Sequence, residues 1–219
     1  MAIKYSLNSN LKNSIQSILN KWEKENIVSK FWNKDPFIWK ENPDEHKELS
    51  NRLGWLDLPF SMKEKISELE NFALEIKTEF TNVLLLGIGG SSLCPEVLSN
   101  SFGSAEGYPN LEILDSTHPD SIRKILNNYN LKKTLFIVSS KSGSTIETMS
   151  FYHTFFNEIS KINNNPGNQF AALTDSNTSL EKLAKEKKFR KIFSTPEDVG
   201  GRFSALTYFG LVPAALIGI

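Results

Sequence analysis

A run of seven residues carries a dense cluster of polar side chains. It combines five hydroxyls, one ammonium and one glycine in the order Ser139-Ser140-Lys141-Ser142-Gly143-Ser144-Thr145. A phosphate monoester offers three acceptor oxygens and close to two negative charges, which hydroxyls, backbone amides and a helix N-terminus all stabilise. Since a helix is predicted from Ile146 onward, the cluster lies at a helix start. The segment therefore predicts a phosphate-binding loop.

An ordinary capped helix is the alternative for this run. Ser144 and Glu147 have the three-residue spacing of a capping box. That alternative explains two of the seven residues, so we favour phosphate binding. Glu147 would repel a phosphate unless its side chain points back into the protein.

A glycine-rich loop, Gly87-Ile88-Gly89-Gly90-Ser91-Ser92, follows the first predicted strand. Its glycines expose backbone amides, and Pro95 fits the first turn of the next helix, so the loop favours an anion. A tight turn without a ligand is one alternative. A dinucleotide site with Asp115 as its acidic residue is another, but that fingerprint requires a glycine where this chain has Ser92.

A second glycine pair, Gly200-Gly201, precedes Arg202 at the entrance of an apolar helical stretch. An arginine on a glycine hinge can reach into a cleft and stabilise a developing oxyanion. The alternative is a salt bridge between Arg202 and its neighbour Asp198 or Glu197.

The histidines and the single cysteine predict no further centre. No histidine has a serine or cysteine partner placed by spacing, so we expect His46 and His153 to have surface or packing roles. His118, near a strand end, stays a weak candidate. Cys94 cannot form an internal disulfide and no Cys/His cluster has ligand spacing, which argues for a reducing compartment and against structural zinc.

Five short apolar runs alternate with helical stretches and must position these loops. The runs are residues 83–86, 111–114, 135–138, 170–173 and 191–193, and the helices between them are residues 95–101, 119–128, 146–159 and 180–187. This alternation predicts an α/β fold, a doubly wound five-stranded parallel sheet buried on both faces. In such sheets ligands bind beyond the carboxyl ends of the strands, where the loops after strands one and three lie.

The region upstream of residue 81 is helical and irregular. Residues 10–26 predict a helix, and residues 30–60 carry three tryptophans and three prolines, typical of short helices and loops. Between residues 61 and 80, apolar residues recur in steps of four and three, which predicts a helix that covers the sheet. These residues are Met62, Ile66, Leu69, Ala73, Ile76 and Phe80.

Length and charge narrow the class of protein. The 219 residues are 39% hydrophobic, which suffices for a packed core in one large or two small domains. Because 25 basic residues balance 25 acidic ones, no net field draws the chain to nucleic acid or anionic lipid. Residues 1–12 lack the charged and then apolar arrangement of a signal peptide, and no apolar run reaches the roughly 18 residues that a membrane-spanning helix needs. We expect a cytoplasmic protein with neither nucleic-acid nor membrane partners.

Three segments together resemble the glucose-6-phosphate isomerase (phosphoglucose isomerase) family. They are Gly87-Ile88-Gly89-Gly90-Ser91-Ser92-Leu93, Ser140-Lys141-Ser142-Gly143-Ser144-Thr145-Ile146-Glu147-Thr148 and Val199-Gly200-Gly201-Arg202-Phe203-Ser204. Two further segments are also similar to sequences of this family, namely Asn51-Arg52-Leu53-Gly54-Trp55-Leu56 and Leu114-Asp115-Ser116-Thr117. The second segment alone indicates the wider sugar-isomerase (SIS) class, and the first and third make the match specific. Cys94 departs from the family, which usually has glycine there.

The resemblance implies a flavodoxin-like three-layer sandwich of SIS type. We divide the chain into an N-terminal helical segment that packs on the sheet (1–80), a phosphosugar-binding α/β domain (81–200) and the start of a connection to a second domain (201–219). Residues 211–219 end the sequence within an apolar run, and family members continue into that second domain. We therefore expect an amino-terminal portion of a longer enzyme, homodimeric when full length.

The resemblance also implies an activity: interconversion of glucose 6-phosphate and fructose 6-phosphate through an enediol, without cofactor or metal. Arg202 would be catalytic and stabilise charge. The residues implied to bind substrate are Gly90, Ser91, Ser140, Lys141, Ser142 and Thr145. The family also uses a glutamate for proton transfer and a histidine and a lysine for ring opening, in motifs not found in this sequence. We therefore expect the 219-residue chain alone to be inactive.

Two other functions stay open. A non-catalytic SIS-domain regulator would need an output module such as a basic helix-turn-helix, and the N-terminal region is not basic. A nicotinamide (NAD)-dependent dehydrogenase would change nicotinamide fluorescence on titration, a response that we do not expect.

Overall fold

Five parallel strands form the central sheet of the computed structural model, which describes residues 6–219. The strands are β1 (Asn82–Gly87), β2 (Asn110–Leu114), β3 (Thr134–Ser139), β4 (Phe170–Asp175) and β5 (Lys191–Thr195). Their order in the sheet is β2-β1-β3-β4-β5. The predicted α/β class and the all-parallel sheet are confirmed. Residues 1–5, part of the predicted N-terminal segment and of the stretch searched for a signal, lie outside the described residues.

Ten α-helices are described in residues 6–219. They are α1 (Ser9–Lys24), α2 (Ile27–Trp32), α3 (His46–Ser50), α4 (Leu58–Ser61), α5 (Ile66–Glu79), α6 (Leu93–Phe102), α7 (Pro119–Asn128), α8 (Ile146–Ser160), α9 (Ser179–Glu186) and α10 (Tyr208–Leu216). The four crossover helices α6 to α9 occur within two residues of their predicted positions. None of the described helices is long and apolar enough to cross a membrane.

The sheet is covered on both faces because alternate strand residues point to opposite sides. On one face, Leu85 and Ile137 lie in a core with α5 and α10. On the other, Leu84 and Phe136 lie in a second core with α7, α8 and α9. All four side chains are fully buried. This explains why the strands read as nearly continuous apolar runs.

The helix that covers the sheet differs from its prediction in two details. Residues Met62–Lys65 form a 3₁₀ turn, so the α-helix begins only at Ile66. Ile66, predicted to face the sheet, is 46% exposed, whereas the unpredicted Phe72 is 6% exposed. The other five residues of the predicted stripe are buried in one core, so the buried face extends past both ends of the α-helix. They are Met62, Leu69, Ala73, Ile76 and Phe80.

The predicted N-terminal segment contains both packed and exposed parts. α1 begins after Asn8, whose side chain accepts a hydrogen bond from the Leu11 amide, and none of its residues is buried. Nearer the sheet, the Trp55 ring stacks on Phe203 with 5.5 Å between centroids. The Gly54 amide donates to the Asp198 carbonyl at 3.0 Å. These contacts fasten residues 54 and 55 to the loop that carries Arg202.

The last helix, α10, belongs to the layer that covers the sheet. Its residues Phe209, Val212 and Leu216 are buried in the same core as α5. Thr207 caps the helix by accepting from the Phe209 amide at 3.2 Å. The division into segments 1–80, 81–200 and 201–219 stays a prediction.

Candidate functional site

A cavity of about 380 Å³ joins the three sequence motifs. Five of the seven predicted site residues line it, namely Gly90, Ser91, Lys141, Ser142 and Thr145. Residues that we did not predict complete the lining, namely Asp175, Gly201, Ser204 and Phe209. The cavity lies at the carboxyl ends of β1, β3 and β4, as the position of ligand sites in parallel sheets predicts.

The first two loops leave the sheet side by side. Gly87 pairs with Ser139 in the β1–β3 register, so both loops start at the same level. The Ser139 hydroxyl is fully buried and donates a hydrogen bond to the Ser91 carbonyl at 2.9 Å. Ser139 therefore holds the glycine-rich loop against the hydroxyl-rich loop.

The glycine pair at 200–201 closes onto the first loop. The Ser204 hydroxyl lies 3.2 Å from the Gly90 carbonyl and 2.6 Å from the Gly201 carbonyl. A Cβ added at Gly90 would lie 2.4 Å from the Gly201 oxygen. The close approach of the two backbones thus requires glycine at position 90.

The hydroxyl-rich loop ends differently from the predicted capping box. The N-cap of α8 is Thr145 rather than Ser144, and its side chain makes no cap hydrogen bond. Its hydroxyl instead bonds Ser140 at 3.0 Å. Ser144 bonds Ser142, with 3.2 Å between the two hydroxyls. The capping-box alternative is wrong, and the first amides of α8 receive no bond from the Thr145 side chain.

Ser140 and Glu147 differ in their relation to the cavity. Ser140 is 1% exposed, and its hydroxyl contacts the Thr145 hydroxyl. Ser140 itself does not line the cavity. Glu147 is exposed and does not line the cavity. Its carboxylate therefore does not point back into the protein, yet it also does not occupy the predicted phosphate position.

The hydroxyl-rich loop is fastened to the turn between β4 and α9. Gly143 has φ +69°, and a Cβ there would lie 2.6 Å from the Thr178 Cβ. The Ser179 hydroxyl donates to the Gly143 carbonyl at 2.7 Å. Both the left-handed backbone and the contact require glycine at this position.

The Lys141 ammonium is held by groups that the sequence analysis missed. It forms an ion pair with Asp175 and donates to the Glu197 carbonyl at 3.2 Å. Asp175 also accepts a hydrogen bond from the Thr195 hydroxyl. The Lys141 and Asp175 side chains are 25% and 15% exposed, so the pair is largely enclosed. The sequence shows only that Asp175 and Thr195 are polar residues that follow apolar runs, and their pairing is visible only in the folded sheet.

A larger, more polar cavity of about 570 Å³ adjoins the site. It shares Lys141 with the first cavity, and three basic and three acidic side chains line it together with Asn51. They are Lys47, Arg52, Lys141, Asp44, Glu48 and Glu197. The Lys141 ammonium therefore lies where the two cavities meet.

Arg202 does not line the cavity. Its side chain is exposed, and it lines neither cavity that contains Lys141. Within residues 6–219 it forms no ion pair, so the predicted alternative of a salt bridge to Asp198 or Glu197 is wrong. Asp198 instead lies 3.9 Å from the Lys34 ammonium. The position of Gly201 on the cavity wall places Arg202 at its rim.

The remaining candidates lie elsewhere. His118 caps α7, where its Nδ1 accepts from the Asp120 amide at 3.2 Å. His46 packs edge-on against Phe37, and His153 lies beside Tyr152. None of the three histidines lines the cavity, and no metal-binding group of three or more His, Cys, Asp or Glu occurs in residues 6–219.

Asp115 and Cys94 offer no site either. Asp115 is exposed after the edge strand β2 and does not line the cavity. Burial raises the pKa of the Cys94 thiol, which lowers its reactivity. The Cys94 sulfur lies against Gly210, where an added Cβ would be only 2.9 Å from it.

Comparison of the amino-acid sequence with known proteins identifies a family and relatives that match most of this chain. The family model of phosphoglucose isomerase matches residues 61–219. A probable glucose-6-phosphate isomerase of Methanococcus maripaludis is 34% identical over an alignment of 177 residues, and the match covers 79% of this chain and 39% of that protein. A glucose-6-phosphate isomerase of Carboxydothermus hydrogenoformans is 34% identical over 187 residues, with the same two shares. The chain thus spans about two fifths of the length of these relatives.

Solved structures agree on the fold. A hypothetical protein of Thermus thermophilus superposes with a TM-score of 0.76 and 28% identity, covering 97% of this chain and 48% of that one. A glucose-6-phosphate isomerase of Chlamydia trachomatis shares the fold, with a TM-score of 0.65 and 21% identity. The superposition covers 85% of this chain and 34% of that one. With the predicted motifs brought together around Lys141 and the family model matching most of the sequence, the chain belongs to the phosphoglucose isomerase family.

Proposed function

We propose that this chain supplies the phosphate-binding part of an aldose–ketose isomerase that interconverts glucose 6-phosphate and fructose 6-phosphate through an enediol. Membership of the family supports the reaction class. The observation that carries the proposal is the 380 Å³ cavity, because Lys141, Ser142 and Thr145 line it together at the start of α8. We propose no cofactor or metal for the reaction.

The phosphate group binds where these three residues meet. A dianion there is stabilised by the ammonium of Lys141, by the hydroxyls of Ser142 and Thr145 and by the positive end of the helix dipole. Because the Thr145 side chain does not cap α8, backbone amides of the first helical turn remain donors for the ligand. Ser140 supports Thr145 through their hydroxyl contact, and its own contact with phosphate stays a prediction.

The sugar contacts the opposite wall, formed by Gly90 and Ser91. Arg202 stabilises the negative charge that develops on the enediolate, after its side chain turns inward from the position next to Gly201. Of the described residues that line the cavity, Asp175 carries the only carboxylate, and both its oxygens are engaged, by Lys141 and Thr195. We therefore assign the proton-transferring base to no residue of this chain.

Two wider features follow from the family resemblance. We propose that the complete enzyme is a homodimer and that it acts in the cytoplasm on a sugar phosphate, with no nucleic-acid or membrane partner. Light scattering coupled to gel filtration of the complete gene product tests the first, and fractionation of the cells that express it tests the second. A monomeric mass or a membrane-bound pool would contradict them.

Calorimetric titration of the chain with fructose 6-phosphate tests the phosphate site. Replacing Lys141→Gln removes a charge-assisted hydrogen bond and should weaken binding at least about tenfold, or about 1.4 kcal/mol. The matched control is Lys161→Gln, since Lys161 is exposed, pairs with Glu158 at 2.7 Å and lines neither cavity. Equal affinities of wild type and Lys141→Gln, or no binding by wild type, would overturn the proposal.

A further inference from the structure

We propose that Asp175 competes with the phosphate for Lys141, so that its carboxylate holds the ammonium in the free protein and lowers the affinity for the ester. The inference rests on the proposed function of the cavity. It assigns to Asp175 the role of a residue that sets phosphate affinity, which neither the three motifs nor the crossover loops indicated.

Groups of the protein itself use most of the donors of the Lys141 ammonium. An ammonium has three N–H donors. One pairs with the Asp175 carboxylate and another with the Glu197 carbonyl at 3.2 Å. One donor therefore remains for a phosphate oxygen unless the ligand displaces Asp175.

The Asp175 carboxylate is fixed rather than free to turn away. Its second oxygen accepts a hydrogen bond from the Thr195 hydroxyl, and its side chain is 15% exposed. Its backbone amide donates to the Lys141 carbonyl at 3.1 Å, and its own carbonyl accepts from the Thr178 hydroxyl at 3.1 Å. These bonds hold the carboxylate in the cavity wall beside the ammonium.

A fixed carboxylate in this wall acts against the ligand in two ways. It neutralises part of the Lys141 charge, and it repels a phosphate dianion that binds to the same ammonium. Both effects are stronger in a partly enclosed site than in bulk water. A moderate affinity for the phosphate is useful for an enzyme because tight binding of substrate and product alike does not raise the rate of the chemical step.

Asp175→Asn separates this role from simple positioning of Lys141. The amide keeps the size of the side chain, its oxygen can still accept from Lys141, and its NH₂ can donate to the Thr195 hydroxyl. We expect the Asp175→Asn chain to bind both fructose 6-phosphate and inorganic phosphate about tenfold more tightly than wild type, measured by calorimetry. A residue that only positions Lys141 would give weaker binding.

Three further variants complete the experiment. Asp120→Asn carries the same change of charge at an exposed residue that lines neither cavity, and it should leave the affinity unchanged. Asp175→Ser, equally neutral but smaller, should also bind more tightly and covers the case in which Asp175→Asn does not fold. In the Lys141→Gln background, Asp175→Asn should lose most of its gain, since the competition acts through the ammonium.

The outcomes distinguish this inference from the proposed function. If wild type binds fructose 6-phosphate and Lys141→Gln weakens it, but both Asp175 variants bind equally or less tightly, the competition is overturned and the phosphate site stands. If wild type and all Asp175 variants fail to bind, or if Lys141→Gln binds like wild type, the proposed function and the competition fail together.

Discussion

The carbonyl oxygen of Gly201 lies so close to Gly90 that a Cβ at position 90 would be 2.4 Å away from it. The atom in contact is backbone, which cannot move aside as a flexible side chain can. Gly90→Ala should therefore push the two loops apart at the cavity. We expect a loss of about 1–3 kcal/mol in the free energy of unfolding and at least a tenfold loss in fructose 6-phosphate affinity.

Gly200→Ala is the matched control for this prediction. Gly200 has φ −64° and ψ 147°, which alanine adopts without strain, and its added Cβ would make only ordinary contacts, with the Arg52 side chain at 3.7 Å and the Phe203 ring at 3.9 Å. Urea unfolding and calorimetric titration of the two variants check the prediction. It is contradicted if both variants behave alike.

Arg202→Ala separates a catalytic role from a structural one. Because Arg202 is exposed and forms no ion pair within residues 6–219, its removal should change the free energy of unfolding by less than about 0.5 kcal/mol. In the complete gene product, turnover of fructose 6-phosphate should nevertheless fall by about a hundredfold or more, as expected for a lost charge-stabilising group. A coupled assay measures the turnover.

Arg123→Ala provides the comparison for Arg202→Ala. Arg123 is an exposed arginine that pairs with Asp120 at 2.7 Å and lines neither cavity containing Lys141. Its removal should leave turnover unchanged. If turnover survives Arg202→Ala as well, Arg202 has no part in the reaction.

The sheet and three of the site segments could be predicted from the sequence because their signals are local. Buried parallel strands require continuous apolar runs, and a loop that exposes amides and hydroxyls shows its composition directly. The start of α8 was less predictable. Ser144 and Glu147 satisfy a capping pattern, yet Thr145 is the N-cap, and the Ser144 hydroxyl bonds Ser142 instead of an amide of α8.

Asp175 shows what local patterns do not contain. It pairs with Thr195 in the β4–β5 register and with Lys141 from the loop after β3. Apolar runs predict that these strands exist, but not which strands are neighbours or which residues stand opposite each other. The carboxylate beside the predicted phosphate position therefore depends on strand order and register, which only the folded chain defines.

The stability of the layer around α5 should depend on pH through Glu68. Its carboxylate lies 2.8 Å from the Lys191 ammonium and 3.1 Å from the Tyr208 hydroxyl. The hydrogen bond to Lys191 has the largest effect, and together the two bonds lower the pKa of Glu68 below its ordinary 4.5. A carboxyl group whose pKa is lower in the folded state stabilises the fold fully at a pH above its pKa in the unfolded chain. This stabilisation is lost as the pH falls through the pKa of the folded state. The free energy of unfolding should therefore decrease below about pH 4.5.

Glu68→Gln should reduce that acid dependence. Lys191→Gln should reduce it too, since it removes the main cause of the lowered pKa of Glu68. Urea unfolding at a series of pH values from 3 to 7 measures the slope. An unchanged slope in both variants would show that other carboxyl groups control the acid response.

Thr148 carries a buried hydroxyl that finds no hydrogen-bond partner among residues 6–219. The residue is 1% exposed in the first turn of α8. Valine has nearly the same shape and removes the desolvated hydroxyl, so Thr148→Val should raise the free energy of unfolding by about 1 kcal/mol.

Thr134 offers the opposite case, because it is fully buried and its hydroxyl donates to the Asn130 carbonyl at 2.9 Å. Thr134→Val should lower the free energy of unfolding by about 1 kcal/mol, since the carbonyl loses its donor. Urea unfolding curves with equal slopes measure both changes, and shifts of the same sign would show that hydrogen bonding does not decide the effect of these two hydroxyls.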